Sequence, residues 1–436
     1  MASPISAQLP EVHIDDKYVL DEGRIFVTGI QALVRLPMLQ HARDKLAGLQ
    51  TAGFISGYRG SPLGALDQQL RRAEEFLDPH DITFLPGVNE DLAATSLWGT
   101  QQAELGGEGR YDGVFGMWYG KGPGVDRSGD ALRHANLAGT SPNGGVLALL
   151  GDDHACESST TANQSEYAMV DAMIPVLNPA GVQDILDYGL YGWALSRFSG
   201  CWTALKCVHD TVEATASVHV SPARARPIFP QNYSLPPGGL HIRWPDTPQQ
   251  QEQRLHELKL PAALAFARAN ALDSLVMDAP DAKFGIITTG KSYLDVRAAL
   301  AELGIDVAEA KRLGMRLYKV AMPWPLEPQG VREFCRGLRH VVVVEEKRGL
   351  IEEQLKNILY GDTHRPQIVG KRDENGDWLF PSAGRLGAAE IALAVGKRLL
   401  AATGDVALRD RLLQLRQVTN SVERDPPPAL RTPYFC

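Results

Sequence analysis

The sequence predicts an α/β protein of two unequal parts, each built on a mostly parallel sheet. Three observations carry that prediction. Short apolar runs alternate with longer segments of helical period, the pattern of strands joined by crossover helices. Glycines crowd the ends of those runs (Gly113, Gly120, Gly122, Gly124, Gly144, Gly145), where a buried strand must turn sharply or admit a ligand. Between Ser221 and Gln249 seven prolines break the pattern into extended backbone. At 436 residues the chain also exceeds what one ordinary core holds.

Residues 1–23 form a polar lead-in. Ile25–Val27 and Ala52–Ile55 read as strands, with Ile30–Leu46 helical between them and Pro37 marking a kink or helix start. Val114–Trp118 and Val146–Leu150 are compact apolar strands, and Ile174–Leu177 is another, stopped by Asn178-Pro179. After the proline-rich break, Pro261–Leu272 is helical, with proline in the tolerant first turn. Phe284–Thr288, Met315–Val320 and His340–Val344 are strands, and Ser292–Leu303 and Ile351–Leu359 are helices. Asp405–Arg424 is polar and helical, and Pro426-Pro427-Pro428 opens a tail. The expected domains are 24–235 and 258–403, with a linker at 236–257 and a tail at 404–436.

Composition narrows the function classes. A net charge of −8 and the lack of a dense Lys/Arg cluster argue against a nucleic-acid surface. The five cysteines (Cys156, Cys201, Cys207, Cys335, Cys436) form no Cys-x-x-Cys pair and read as reduced thiols of a cytoplasmic protein. Asp15, Asp16 and Lys17 stand where a signal peptide would be apolar, and no apolar run approaches the ~20 residues that span a bilayer.

The most informative residues are Gly57-Tyr58-Arg59-Gly60-Ser61-Pro62 and Phe84-Leu85-Pro86-Gly87-Val88-Asn89-Glu90. The first is a turn after an apolar strand. The second reads as a strand ending in Asn-Glu, which sets a lone carboxylate, Glu90, at a strand-to-helix junction. A glutamate there is also favoured by the helix dipole alone. Gly120-Lys121-Gly122-Pro123-Gly124-Val125-Asp126 looks like a phosphate cradle but lacks a P-loop ending and the dinucleotide spacing. Thr289-Gly290-Lys291-Ser292 ends like a P-loop but lacks the upstream glycine.

Taken together, these residues resemble the N-terminal part of the long bacterial indolepyruvate:ferredoxin oxidoreductases, within the thiamine diphosphate-dependent 2-oxoacid:ferredoxin oxidoreductases. The likeness covers nearly the whole chain in order. Gly57–Pro62 is similar to the family's Gly-Tyr-Pro-Gly-Thr-Pro turn, and Asn89-Glu90 to its Asn-Glu. Leu150–His154 through Ser158-Ser159 and Gln164-Ser165-Glu166 resembles its Asp-Asp-Pro…Ser-Ser-Gln-Asn-Glu segment. Ile174–Leu177 and Val343–Glu346 also match in place. Arg59 and Ser61 depart from the family's proline and threonine.

The resemblance implies a pyrimidine-binding domain followed by a smaller transketolase C-terminal-like domain. It implies that Glu90 is catalytic, holding a proton on the cofactor's aminopyrimidine, a task that needs a carboxyl group tuned in an apolar site. Gly57, Tyr58, Ser61, Pro62 and Asn89 would meet the cofactor. Arg59, Lys121, Asp126 and His154 would face substrate. For Arg59 a plain surface arginine remains open, and for Lys121 and Asp126 a glycine-rich turn. His154 and Ser158-Ser159 are edge residues of the site or caps of the next helix. Glu345-Glu346 read as strand-end charges at a domain interface.

Gly151-Asp152-Asp153 with Asn178 imitates the Gly-Asp-Gly…Asn signature that holds Mg²⁺ and diphosphate. The second glycine is absent and the segment falls in the pyrimidine-binding domain, so no metal ligand is expected here. The implied reaction is oxidative decarboxylation of an aryl 2-oxo acid, with coenzyme A taking the acyl group and ferredoxin the electrons. Thiamine diphosphate and Mg²⁺ are the implied cofactors. The diphosphate domain, a gamma-type domain or subunit and any iron–sulfur cluster are expected outside these residues, with Cys436 opening a Cys-x-x-Cys-Pro segment. A homo-oligomer with a shared active site is expected, inactive as this stretch alone. A non-oxidative thiamine diphosphate enzyme and a non-catalytic scaffold subunit are the alternatives.

Overall fold

The computed structural model describes residues 12–156, 159 and 161–424. Ser158, the proline run at 426–428 and Cys436 lie outside the described residues. The strands are β1 (Gly23–Thr28), β2 (Thr51–Gly57), β3 (Ile82–Phe84), β4 (Gly113–Lys121), β5 (Val146–Asp152), β6 (Val176–Leu177), β7 (Thr203–Val208), β8 (Thr215–Val220), β9 (Ser274–Met277), β10 (Phe284–Thr289), β11 (Met315–Val320), β12 (His340–Val344) and β13 (Gln367–Val369).

The first unit is a six-stranded parallel sheet in the order β3-β2-β4-β5-β7-β6. Its central strands are buried on both faces, which explains their unbroken apolar runs. Period-two alternation sorts the side chains. Phe115, Met117, Tyr119, Leu147 and Leu149 join the core beneath helices Gly29–Leu46 and Val182–Ser199. Trp118, Val146, Ala148 and Leu150 join the opposite core, beneath helices Glu90–Thr100 and Gly129–Ala138. Trp193 ties the layers to the sheet by donating to the Gly116 carbonyl at 2.9 Å and meeting Phe115 edge-on.

Several local expectations need correction. The strand at Ile25–Val27 is not part of the main sheet. It pairs antiparallel with β8 in a separate ribbon, because Thr215–Val220 also alternates and offers a closer partner. Pro37 neither starts nor stops its helix, which begins at Gly29 behind a Thr28–Gln31 capping box. The strand before Glu90 ends at Phe84, and Asn89-Glu90 opens a helix. The glycine-rich stretch at 120–126 is no loop: β4 runs to Lys121 and Gly122–Arg127 is helical, with Pro123 in its first turn. A helix over Pro248–Arg254 interrupts the extended backbone, seated on a Thr247 capping box.

The second unit carries a sheet in the order β13-β12-β10-β11-β9, parallel except for β9. The strands and helices read between 284 and 359 fall within a residue or two of these elements. The units meet closely: the Val176 amide donates to the Trp324 carbonyl at 2.7 Å and the Asn178 amide to Ala321 at 2.9 Å. Phe266, Leu272, Ala321 and Met322 are buried in the first unit's core. Among the described residues, no helix is long and apolar enough to cross a membrane.

Candidate active site

In an open parallel sheet, ligands collect beyond the carboxyl ends of the strands, where neighbouring strands send their chains to opposite sides. Here that point lies between β2, which continues to β3 on one side, and β4 on the other. The turn Gly57–Pro62 leaves β2 at this point. Its backbone is fixed by bonds from Tyr58 N to Tyr119 O (3.1 Å) and from Gly87 N to Gly57 O (2.8 Å), and the Ser61–Pro62 bond is cis. The same bonds draw the 85–89 segment onto the end of β2.

That segment delivers Glu90 as the first residue of its helix. Asn89 caps the helix, its Oδ1 accepting from Leu92 N at 2.9 Å. The Trp118 indole donates to the Glu90 carbonyl at 3.0 Å, anchoring the helix start from beneath. Glu90 is 7% exposed, with its carboxyl group laid against the helix at 122–127. A Cβ on Gly124 would stand 2.4 Å from Glu90 Oε1, so only glycine lets the carboxylate lie there. Around this buried group the surface is apolar and open, with Tyr58, Leu85, Val88 and Leu92 all exposed.

Arg59 is exposed and has no ion-pair or hydrogen-bond partner among the described residues. Lys121 lies along Gly60, where a Cβ would meet its Cδ at 2.7 Å, and its ammonium is likewise unpaired among the described residues. Asp126 points outward, and the neighbouring Asp91 and Arg127 pair at 2.7 Å. Thus the Glu90 wall brings together a buried carboxylate, two unpaired cations and an apolar rim.

His154 sits elsewhere. It lines cavities at the seam between the units, whose walls do not include Glu90. It is buried, with Nε2 unpartnered, and burial beside Lys206 holds its pKa well below the usual histidine value, so the ring is neutral. Ser159 has a buried, unpartnered hydroxyl.

The Gly151–Asn178 decoy resolves into a structural network. Asp152 accepts from Ser165 Oγ at 2.5 Å and Ser165 N at 2.9 Å, and Lys206 reaches Glu166 at 2.5 Å. Its oxygens are therefore engaged by the protein. Asn178 lies against Gly290 of the second unit, where a Cβ would meet its Oδ1 at 2.3 Å. Glu345 is a buried helix cap, accepting from Ile351 N and Glu352 N, and burial pushes its pKa up. Glu346 accepts from Lys291 at 3.1 Å. Sequence reasoning passed over Lys206, whose signal was a single charge inside the apolar run Leu205-Lys206-Cys207, and met Lys291 only within a P-loop-like ending, not as the partner of Glu346.

Comparison with known proteins shows what the chain resembles in sequence and fold. The model of the indolepyruvate oxidoreductase domain matches residues 274–422. The indolepyruvate oxidoreductase subunit IorA of Methanothermobacter marburgensis is 24% identical over 369 residues, 83% of this chain and 53% of the relative. The IorA of Pyrococcus horikoshii is 30% identical over 242 residues, 52% of this chain and 34% of the relative. The chain therefore spans about half, or less, of the length of these curated relatives.

Among solved structures, the 2-oxoglutarate:ferredoxin oxidoreductase from Magnetococcus marinus superposes with a TM-score of 0.60 at 15% identity, over 86% of this chain and 65% of that one. A split-gene transketolase gives 0.50 at 12% identity, over 86% and 98%. The two units thus share the α/β fold of these two enzymes. More narrowly, residues 274–422 match the indolepyruvate oxidoreductase domain, and the chain is similar along most of its length to an IorA subunit.

Proposed function

We propose that this chain supplies the pyrimidine-binding half of a thiamine diphosphate site that oxidatively decarboxylates a 2-oxo acid. The observation that carries the reading is Glu90: a buried carboxylate at the sheet's switch point, walled by Gly124 and ringed by exposed apolar side chains. These residues fit the aminopyrimidine end of the cofactor. The ring's faces are apolar, and its nitrogen edge needs one buried carboxyl group. They do not fit the diphosphate end, since the oxygens of Asp152 are already committed to Ser165.

Bound thiamine diphosphate supplies the electron sink for loss of CO₂. Glu90 holds a proton at the aminopyrimidine nitrogen, and the apolar wall keeps that proton from exchanging freely with water. Tyr58, Leu85, Val88 and Leu92 cover the ring once a second surface closes over them. Arg59 and Lys121 receive the carboxylate of the 2-oxo acid, a guanidinium fork and an ammonium beside the reacting end. The diphosphate, its Mg²⁺, the iron–sulfur cluster and the sites for coenzyme A and ferredoxin belong to segments or subunits that assemble onto this half. An aryl 2-oxo acid such as indolepyruvate is the substrate class that the family name favours.

Reconstitution tests the reading. The chain is mixed with the diphosphate-binding part of a family member, and 2-oxo acid-dependent reduction of a viologen dye is followed. Glu90→Gln should lower the rate by about a thousandfold or more, the scale of a lost acid–base group, with the melting temperature unchanged. Near-normal turnover by that variant would refute the assignment.

A further inference from the structure

The seam between the units contains a second feature that the Glu90 reading does not use. Behind the ends of β5 and β12 lies a cavity of about 440 Å³. Lys347, Arg348, His154, Gln164, Asn163 and Ser382 line it, and among the described residues no aspartate or glutamate does. The neighbouring seam cavities differ, since Glu166, Glu345 and Glu346 or Asp152 and Asp210 line those.

Lys347 is 8% exposed, yet its ammonium has a single partner, the Gly384 carbonyl at 2.9 Å, and no carboxylate among the described residues. A buried ammonium without a counter-ion is costly, and among the described residues two of its three donors find no acceptor. The Arg348 guanidinium lies over the Tyr167 ring, 3.5 Å from its centroid, with Gln164 bonded to its backbone from both amide atoms. Its terminal amines have no partner among the described residues. His154, whose buried Nε2 has no partner among the described residues, lines the same cavity. Lys347 and Cys156 both keep left-handed backbones, at φ +53° and +56°, which non-glycine residues adopt at a cost. Two cations, the Lys347 ammonium and the Arg348 guanidinium, and a histidine thus line one space with no aspartate or glutamate among the described residues.

We propose that this cavity is a binding site for a small organic anion, which presents a carboxylate or phosphate to Lys347 and Arg348 and accepts a hydrogen bond from His154. The volume lies in the range of small-molecule sites. The site does not depend on Glu90, so it stands or falls separately from the proposed reaction.

Calorimetric titration of the purified chain tests it, with phenylpyruvate as the carboxylate probe and inorganic phosphate as the other. Saturable binding of one equivalent of either probe is expected, and the tighter probe names the source. Lys347→Met and, independently, Arg348→Gln should weaken it about tenfold or more, the scale of a lost charge-assisted hydrogen bond. Two separate variants, each with a melting temperature near that of the wild type, guard against a folding artefact. No saturable binding to the wild-type chain, or binding indifferent to both substitutions, would overturn the proposal.

Discussion

Glu90 keeps its position because Gly124 has no side chain. Alanine there would strengthen the helix at 122–127 by up to about 1 kcal/mol from propensity alone, yet its Cβ would stand 2.4 Å from Glu90 Oε1 and displace the carboxylate. The two effects have opposite signs in different assays. Gly124→Ala is therefore expected to keep or raise the melting temperature while kcat/KM of the reconstituted enzyme falls about a hundredfold. A drop in both together would mean that the helix, not the carboxylate, is what glycine protects. At this scale much was legible, because Gly57–Pro62 and Asn89-Glu90 are short motifs whose residues sit together in sequence. Their contacts were less so. Asn89 spends its side-chain oxygen on a helix cap, and a cap and a cofactor ligand draw on the same residue types. The pairing of Lys206 with Glu166 joins residues from separate elements, and no local pattern announces that.

Between elements, two buried charges make the packing testable. Arg197 on helix Val182–Ser199 reaches Asp44 on helix Gly29–Leu46 with both terminal amines, at 2.6 and 2.7 Å, while Gln40 and Thr51 also donate to that carboxylate. Asp44→Asn would leave the guanidinium without its counter-ion and should destabilise the chain by about 3 kcal/mol, read from the denaturation midpoint. Lys259 is fully buried, its ammonium donating to the Asn136 and Leu137 carbonyls at the end of helix Gly129–Ala138. Burial pushes its pKa down to about 8 from an ordinary value of 10.5. Below the lower value both folded and unfolded forms are protonated and the burial penalty is full. Between the two values the folded form binds fewer protons, so stability rises with pH, by about 3 kcal/mol from this group. Lys259→Met should lack that rise when unfolding is measured from pH 7.5 to 10.5; an equal slope in both proteins would contradict the assignment. Strand and helix periods made most of these elements readable. The exceptions share one cause: β1 and β8 form their own ribbon, and β9 runs against its sheet, and pairing between distant segments decides both.

At the scale of the whole molecule, the proposed function makes this chain half of a site that faces outward. The apolar rim of Tyr58, Leu85, Val88 and Leu92 is left open, whereas Asp152, which imitates a diphosphate ligand, is tied to Ser165 inside the first unit. The chain alone should therefore bind thiamine diphosphate and Mg²⁺ weakly by calorimetry, and at least tenfold tighter once a diphosphate-binding domain is added, as expected when a second surface buries the ring. Tight metal-dependent binding to the chain alone would make the Gly151–Asn178 segment a genuine diphosphate site. Two units in this order were visible from the proline-rich break and the two sets of strands. Of the seam only Glu345-Glu346 was readable as interface charges, because Lys206, Glu166 and Asn178, which line the same cavity, come from elements far apart in sequence. The most direct test is exchange of the thiazolium C2 proton of thiamine diphosphate for deuterium, measured by quenched-flow NMR in the reconstituted enzyme with wild-type chain and with Glu90→Gln. If Glu90 holds the pyrimidine proton, exchange should be fast in the wild type and fall in the variant to near the rate of the free cofactor. Equal rates in the two proteins would contradict the assignment of Glu90.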